Sequence, residues 1–347
     1  MAALRVLVCD DSRVYAGALR RALEYEGDIE VLAVCGSAEE AIAALPRVEP
    51  DLVTMDVELP GMGGLDAVGE IMSSRPLPIL VLSAYVGHAS DRTAAALAAG
   101  ALDALDKDDL DLREPGGAAA AALRHRIRVL SRARVIRHPL ARLTAIPRSR
   151  ADGRHASVIG LCASLGGPQL LMFLLKALPA DYPIPVLIVQ HIAAGFTEGL
   201  ARWLDDAAEI PVRVAEPGTP TAGPGAWLAP DGAHLTLTST GLLALDRYTI
   251  AGHHRPSGDV LLASIAAAAG RTGVGVVLSG IGSDGAAGAA ALRTSGGLAI
   301  AQDEESSAVF GMPKAAIDLG VDVVLTPSRI AACLLGLQPE PFPGASR

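Results

Sequence analysis

The chain alternates. Short apolar runs rich in Val, Leu and Ile are followed by longer stretches with apolar residues at helical spacing, and this cycle is traversed in both halves of the sequence. In the first half the strand-like runs are LRVLV, IEVLAV, DLVTM, PILVLS and ALDAL. Between them lie RVYAGALRRALEYE, AEEAIAAL, GLDAVGEIMS and DRTAAALAAG, and a final helix runs through GAAAAALRHRIRVL. Apolar strands joined by helical crossovers imply a parallel sheet covered on both faces. Five such units predict a flavodoxin-like order, with ligands at the carboxyl ends of the strands.

From Ser157 the pattern restarts. SVIGL, VLIVQ, VGVVLS, LAIAQ and VDVVL read as strands, with helices at PQLLMFLLKAL, TEGLARWLDDA, DVLLASIAAAA, AAGAAALRT, PKAAIDLG and SRIAACLLGL. A Gly- and Pro-rich stretch interrupts them, and its runs AWLA, HLTLT and LLALD, with Thr240-Gly241 as a turn, predict antiparallel strands. The expected fold is α/β throughout, with two doubly wound open sheets. The first is a flavodoxin-like (βα)5 unit; the second is larger and mostly parallel, with an antiparallel insertion.

A length of 347 residues fits two domains better than one core. No apolar run is long enough to span a bilayer, and MAALRVLVCDDS meets acidic residues too early for a signal peptide. The four cysteines, Cys9, Cys35, Cys162 and Cys333, show no metal-ligand spacing and read as buried thiols of a reducing cytoplasm. A net charge of -9 argues against nucleic acid as partner of the whole molecule. The exception is the arginine-dense segment from Arg124 to Arg154. It reads first as a solvated helix and linker, and second as a basic tether for an acidic partner.

Acidic residues stand at the strand ends of the first half. Asp10 and Asp11 follow strand one and Asp56 follows strand three, neighbours in the expected order. Three converging carboxylates repel one another unless a cation binds, and a hard ion such as Mg²⁺ fits oxygen ligands. Ser83 closes strand four and Lys107 strand five. Lys107 is one of only three lysines, beside twenty-six arginines, and its compact charge suits a phosphoryl oxygen. Individually, Asp11 or Ser12 is also a helix cap and Lys107 a surface charge; their shared rim favours function. VLVCDDS, DLVTMDVELPGMGGLD, VLSA and ALDALDK resemble the receiver domain of bacterial response regulators. The resemblance implies Asp56 as phosphoacceptor, Asp10 and Asp11 with it as Mg²⁺ ligands, and Ser83 and Lys107 as phosphoryl contacts. It also implies a histidine kinase as phosphodonor. Departures are Met62-Gly63-Gly64 for Met-Asp-Gly, Lys107-Asp108 for Lys-Pro, and Ala104 at a common aromatic position.

In the second half, Ser164, His191 and Asp284 each fall just beyond a parallel strand. Together they are the parts of a nucleophilic triad: His removes the serine proton and Asp fixes the imidazole tautomer. The order Ser, His, Asp differs from the three familiar hydrolase orders, and Cys162 stands where a nucleophile elbow has glycine. Alternatives remain open at this level. Ser164 and Asp284 are also possible helix caps, Asp303 competes as the acid, and His234, His253 and His254 compete with His191. A nucleotide-binding reading of GLCASLGG and SGIGSDGAAG ranks lower, because neither loop has GxGxxG or Gly-Lys-Ser/Thr spacing. A catalytically silent adaptor is the third reading.

ASLGGP, VQH, LAPDGAHL, HHRPSGDVLL, VVLSGIGSDGAAG and AQDEESSAVFGMPKAAI resemble the protein-glutamate methylesterase domain of bacterial chemotaxis, the CheB family. The resemblance assigns Ser164 as nucleophile, His191 as base and Asp284 as third member, with no metal in this half. It implies a phosphorylation-regulated hydrolase of glutamate methyl esters on chemoreceptors that also deamidates glutamine, without inserting into the membrane. It further implies that the unphosphorylated receiver covers the esterase rim until phosphorylation shifts the domains apart. Leu165 replaces the family's usual Thr, and Ile281 its usual Met. The expected organisation is a receiver at 1–115, an Arg-rich helix and linker at 116–154, the catalytic domain at 155–340 and a tail at 341–347.

Overall fold

The computed structural model describes residues 3–84, 89–133, 135, 153–250 and 254–343. The chain divides into two compact units, Met1–Arg137 and His138–Arg347. No helix among the described residues is long and apolar enough to cross a membrane.

The first unit runs β1 (Leu4–Cys9), α1 (Arg13–Glu24), β2 (Ile29–Cys35), α2 (Ala38–Val48), β3 (Leu52–Asp56), α3 (Gly64–Ser74), β4 (Ile79–Ser83), α4 (Ala89–Ala98), β5 (Asp103–Asp106) and α5 (Ala118–Leu130). Its sheet is parallel in the order β2-β1-β3-β4-β5, as the crossover pattern predicts. β3 and β4 are buried at every residue, which is why both faces of these strands are apolar. The order reverses between β1 and β3, so Asp10 and Asp56 leave adjacent strands at the switch point.

α5, read from the sequence as the final helix of the first half and the start of the Arg-rich segment, packs as the last helix of this unit. The arginines that made it look solvated are tied inward. Arg124 is 1% exposed; its guanidinium donates to Ala22 O at 2.8 Å and Pro115 O at 2.7 Å and meets Glu26 at 2.8 Å. Arg126 pairs with Asp103, and Arg128 with Asp28 at 2.7 Å and with Glu26. Charge density alone reads as a solvated face, because these partners are distant in sequence. The proposed tether continues into residues 136–152, which lie outside the described residues.

The second unit contains β6 (His155–Ala156), β7 (Val158–Ala163), α6 (Gly167–Lys176), β8 (Val186–Gln190), α7 (Thr197–Ala207), β9 (Val212–Val214), β10 (Ala226–Leu228), β11 (His234–Leu237) and β12 (Leu243–Asp246). It continues through α8 (Gly258–Ala269), β13 (Gly273–Val277), α9 (Ala286–Thr294), β14 (Leu298–Gln302), α10 (Met312–Asp318), β15 (Val323–Leu325), α11 (Pro327–Gly336) and β16 (Gln338–Pro339). Seven strands form one parallel sheet, β15-β14-β13-β7-β8-β10-β9. The antiparallel insertion is the hairpin β11–β12, in its own sheet. AWLA was expected with that hairpin; instead β10 pairs parallel with β8, and the short edge strand β9 pairs parallel with β10. Apolar cores fill both faces of the large sheet. One includes Ile159, Leu171, Ile188 and Ile300; the other includes Val158, Leu187, Leu262 and Val277.

Two stability changes are expected. Replacing Arg124 with Met strips the buried Ala22 carbonyl and the part-buried Pro115 carbonyl of their donor and should destabilise the first unit by roughly 1–3 kcal/mol. Denaturant titration with hydrogen exchange of α1 and α5 reads this directly. Gly63 is the N-cap of α3, in extended backbone with no side-chain cap and nothing within 4 Å of a would-be Cβ. Gly63→Asp should supply the missing acceptor and raise stability by a few tenths to about 1 kcal/mol in the same titration.

Candidate functional sites

At the carboxyl rim of the first sheet, Asp10 and Asp56 are buried and Asp11 is exposed. One oxygen from each lies within 4.8 Å of the others. Lys107 Nζ sits 2.7 Å from Asp10 Oδ2 and 2.6 Å from Asp56 Oδ2, and 4.7 Å from the centroid of the Tyr15 ring. Burial pushes the Asp10 carboxyl above its ordinary value, against the pull of Lys107. Burial alone would lower the Lys107 ammonium, but its bonds to Asp10 and Asp56 raise it. Three carboxylates against one ammonium leave an excess of negative charge in an all-oxygen pocket. Ser83 Oγ is buried beside them, on β4, without a partner among the described residues. This donor set fits a hard divalent cation such as Mg²⁺.

Gly64, at the start of α3, passes so close to β3 that a Cβ would lie 1.8 Å from Asp56 O. Glycine is therefore required there, whereas Gly63 merely lacks a cap.

In the second unit the central strands β13, β7 and β8 deliver the three triad candidates to one rim. Ala163 pairs with Gln190, and His191 N donates to Ala163 O at 2.9 Å. Ser164 and His191 thus leave neighbouring strands at the same level. Gln190, 4% exposed, fastens them: its Nε2 donates to both Ser164 O and His191 O at 2.8 Å. Gly167 makes room for this amide, since a Cβ there would fall 2.1 Å from Gln190 Oε1. Gly166 adopts φ +71°, the left-handed turn that opens α6. On the β13 side, a Cβ at Gly280 would meet Ser164 Cβ at 2.7 Å.

Asp284 meets His191 directly, Oδ2 to Nε2 at 2.8 Å. The carboxylate also accepts from Ser257 Oγ at 2.7 Å, Gly258 N at 2.6 Å and Asp259 N at 3.0 Å. Ser257 is the N-cap of α8, so the acid lies on the positive end of that helix. Burial alone would raise the Asp284 carboxyl. The bonds from His191, the α8 amides and Ser257 outweigh it and hold the acid well below the usual carboxylate range. An ionised carboxylate only accepts, so His191 Nε2 carries the proton. Nδ1 is then the basic nitrogen; it is buried and has no hydrogen-bond partner among the described residues.

Two of the competitors, Asp303 and His234, fall elsewhere. Asp303 accepts from the Ser306 hydroxyl in its own loop. His234 is fully buried, with Nε2 3.1 Å from Thr249 O. His253 lies outside the described residues. His254 stacks on His191, ring centroids 4.1 Å apart and planes 17° from parallel. Asp284 does act as a helix cap, though of α8 rather than of α9, the helix that follows it. Asp259 caps α9 in return, accepting from Gly288 N at 2.8 Å. The first glycine loop is not an open phosphate cradle either. Ser164 N donates to Ser279 O at 3.0 Å and Gly167 N to Ser164 O at 2.9 Å.

Sequence reasoning missed Gln190, Ser257 and Asp259. Gln190 had a signal, a polar residue closing an otherwise apolar strand. The other two lie in HHRPSGD, conspicuous for its histidines.

The comparisons with known proteins cover the whole architecture. The profile of the CheB methylesterase family matches residues 159–334, and that of the response regulator receiver domain matches residues 6–113. Protein-glutamate methylesterase/protein-glutamine glutaminase 2 of Anaeromyxobacter dehalogenans is 40% identical over 334 residues, covering 95% of this chain and 96% of that protein. Protein-glutamate methylesterase/protein-glutamine glutaminase 3 of Myxococcus xanthus is 40% identical over 318 residues, 91% of this chain and 88% of that protein. The crystal structure of the Thermotoga maritima CheB methylesterase catalytic domain aligns with a TM-score of 0.50 at 35% identity, over 52% of this chain and 97% of that one. The chain therefore belongs to the CheB methylesterase family and joins its methylesterase domain to a response regulator receiver domain.

Proposed function

We propose that this protein hydrolyses glutamate methyl esters of chemoreceptors at Ser164, His191 and Asp284, under control of phosphorylation at Asp56. One observation carries the chemistry: an ionised Asp284 anchored on α8 and bonded to His191 Nε2, on the strand end beside Ser164.

The assignment gives each atom a task. Ser164 Oγ attacks the ester carbonyl carbon while His191 Nδ1 takes its proton. Asp284 stabilises the imidazolium through Nε2–H. The amides of Ser164 and Gly167 are already committed, which leaves those of Leu165 and Gly166 as oxyanion donors. As the C–O bond breaks, Nδ1–H protonates the departing methoxide, releasing methanol. Water, deprotonated by the same nitrogen, then attacks the acyl-enzyme, and its collapse returns the serine and a glutamate carboxylate. With glutamine the leaving group is ammonia.

In the first unit Asp56 accepts the phosphoryl group, with Lys107 and Ser83 on its oxygens. Asp10, Asp11 and Asp56 would hold Mg²⁺, which supplies charge neutralisation for phosphoryl transfer. The donor is a histidine kinase, and the substrate is the cytoplasmic helical part of a methylated receptor. The enzyme works in the cytoplasm.

Methanol release from methylated receptor membranes tests this reading. Ser164→Ala should reduce turnover by on the order of 10⁴-fold or more, and wild-type turnover in that variant would refute the assignment. Gln190→Met keeps the strand end filled but unties Ser164 from His191. It should lower kcat by roughly 10- to 100-fold, with KM little changed. Asp56→Asn should abolish the increase in turnover that a phosphodonor gives the wild type. An undiminished response would remove Asp56 from the regulatory role.

A further inference from the structure

We propose that Tyr15 is a positioning residue for phosphoryl transfer, its ring forming the wall that keeps the Lys107 ammonium over Asp56. The proposal rests on the reading of Asp56 as phosphoacceptor.

Aromatic residues make up only 3% of this chain, and one of them faces the lysine of the phosphorylation rim. Tyr15 lies on the first turn of α1, where Ser12 Oγ accepts its backbone N–H. That cap sets the turn directly after Asp10. Val14, on the same turn, is 84% exposed, whereas the Tyr15 hydroxyl is buried. An ammonium has three donors. Two of its directions go to Asp10 and Asp56, at 2.7 and 2.6 Å, and the ring centroid lies 4.7 Å away, within cation–π range. The Tyr15 hydroxyl has no partner among the described residues. Burying it brings no hydrogen bond in return, so the ring is the part of this side chain that makes the useful contact.

The ring matters because the ion pairs change during the reaction. When an Asp56 oxygen bonds to phosphorus, the bond to the donor's leaving group breaks and its electron pair leaves with that group. The phosphoryl group brings its own negative charge onto Asp56, so Lys107 must exchange its bond to the carboxylate for one to a phosphoryl oxygen. Asp10 keeps its charge and draws the ammonium toward itself. The Tyr15 ring is the contact the reaction leaves unaltered. It keeps Lys107 within reach of the incoming phosphoryl oxygens.

The test uses the full chain with Tyr15→Phe and Tyr15→Leu, each alone and combined with Lys107→Met. Phosphorylation is followed with acetyl phosphate and Mg²⁺, and thermal midpoints are measured in EDTA. Tyr15→Phe should phosphorylate at the wild-type rate, and Tyr15→Leu should be slower by roughly three- to tenfold. Tyr15→Leu should lower the midpoint, and both of its effects should shrink in the Lys107→Met background, where no cation remains. A wild-type rate in Tyr15→Leu overturns the proposal. So does a Tyr15→Phe protein as slow as Tyr15→Leu, which would assign the effect to the hydroxyl. Effects undiminished in Lys107→Met would reduce Tyr15 to ordinary packing and also overturn it. If wild type takes up no phosphoryl group, or Asp56→Asn still does, the reading of Asp56 fails, while the EDTA cycle still decides whether the ring holds Lys107.

Discussion

The catalytic rim depends on where one negative charge is stored. Asp284, its side chain 10% exposed, is ionised with no lysine or arginine paired to it among the described residues, held by the first amides of α8, the Ser257 hydroxyl and His191. A helix N-terminus is one of the few places in a protein interior where a carboxylate can be kept charged by backbone alone. Because the acid accepts from that helix, α8 and the loop before α9 are locked together, and Asp259 completes the lock from the other side. The imidazole tautomer follows from this arrangement: Nε2–H is committed to Asp284 and Nδ1 is left basic. The carboxylate that caps α8 is thus the same one that meets His191, so the two readings of Asp284 are compatible rather than competing.

Much of this was legible in the sequence, for a definite reason. In parallel α/β sheets polar residues at the ends of apolar runs mark the carboxyl rim, and Asp10, Asp56, Ser83, Lys107, Ser164 and His191 all stand there. Asp284 lies further on, beyond a loop, and period alone did not separate it from Asp303. What escaped depended on partners remote in the chain. Arg124 and Arg128 looked solvated because Glu26 is about a hundred residues away. β10 looked antiparallel because its neighbour in space, β8, is hidden behind α7 and β9. β9 itself has only three residues, with Arg213 exposed at its centre, too short for any period to register. Gln190 was visible as a polar strand end, but its bond to two backbones is a tertiary event.

The two rims solve opposite electrostatic problems with the same topology. In the first, carboxylates from β1 and β3 converge with a single ammonium between them, and the surplus negative charge suits a divalent cation. In the second, amide dipoles and hydroxyls meet the single acid, which leaves His191 Nδ1 without a proton and open to accept one. Strand order places both sets of groups. What differs is whether helix N-termini or a cation faces the carboxylates.

This division bears on Leu165, the departure nearest Ser164, the proposed nucleophile. A threonine there would offer a hydroxyl, whereas Leu165 is 2% exposed. The frame of the loop, however, is carried by main chain. Ser279 Oγ donates to Leu165 O at 2.7 Å and accepts from Val309 N at 2.9 Å, while Ser279 N is held by Gln302 Oε1 at 2.8 Å. Ser279 O in turn accepts Ser164 N. Each of these bonds survives any side chain at position 165 that fits the buried space. An apolar one of larger size adds roughly 0.8 kcal/mol per further methylene buried, in place of a polar contact. The substitution therefore leaves the serine where the strands and Ser279 put it, and changes only which side chain lies beside it.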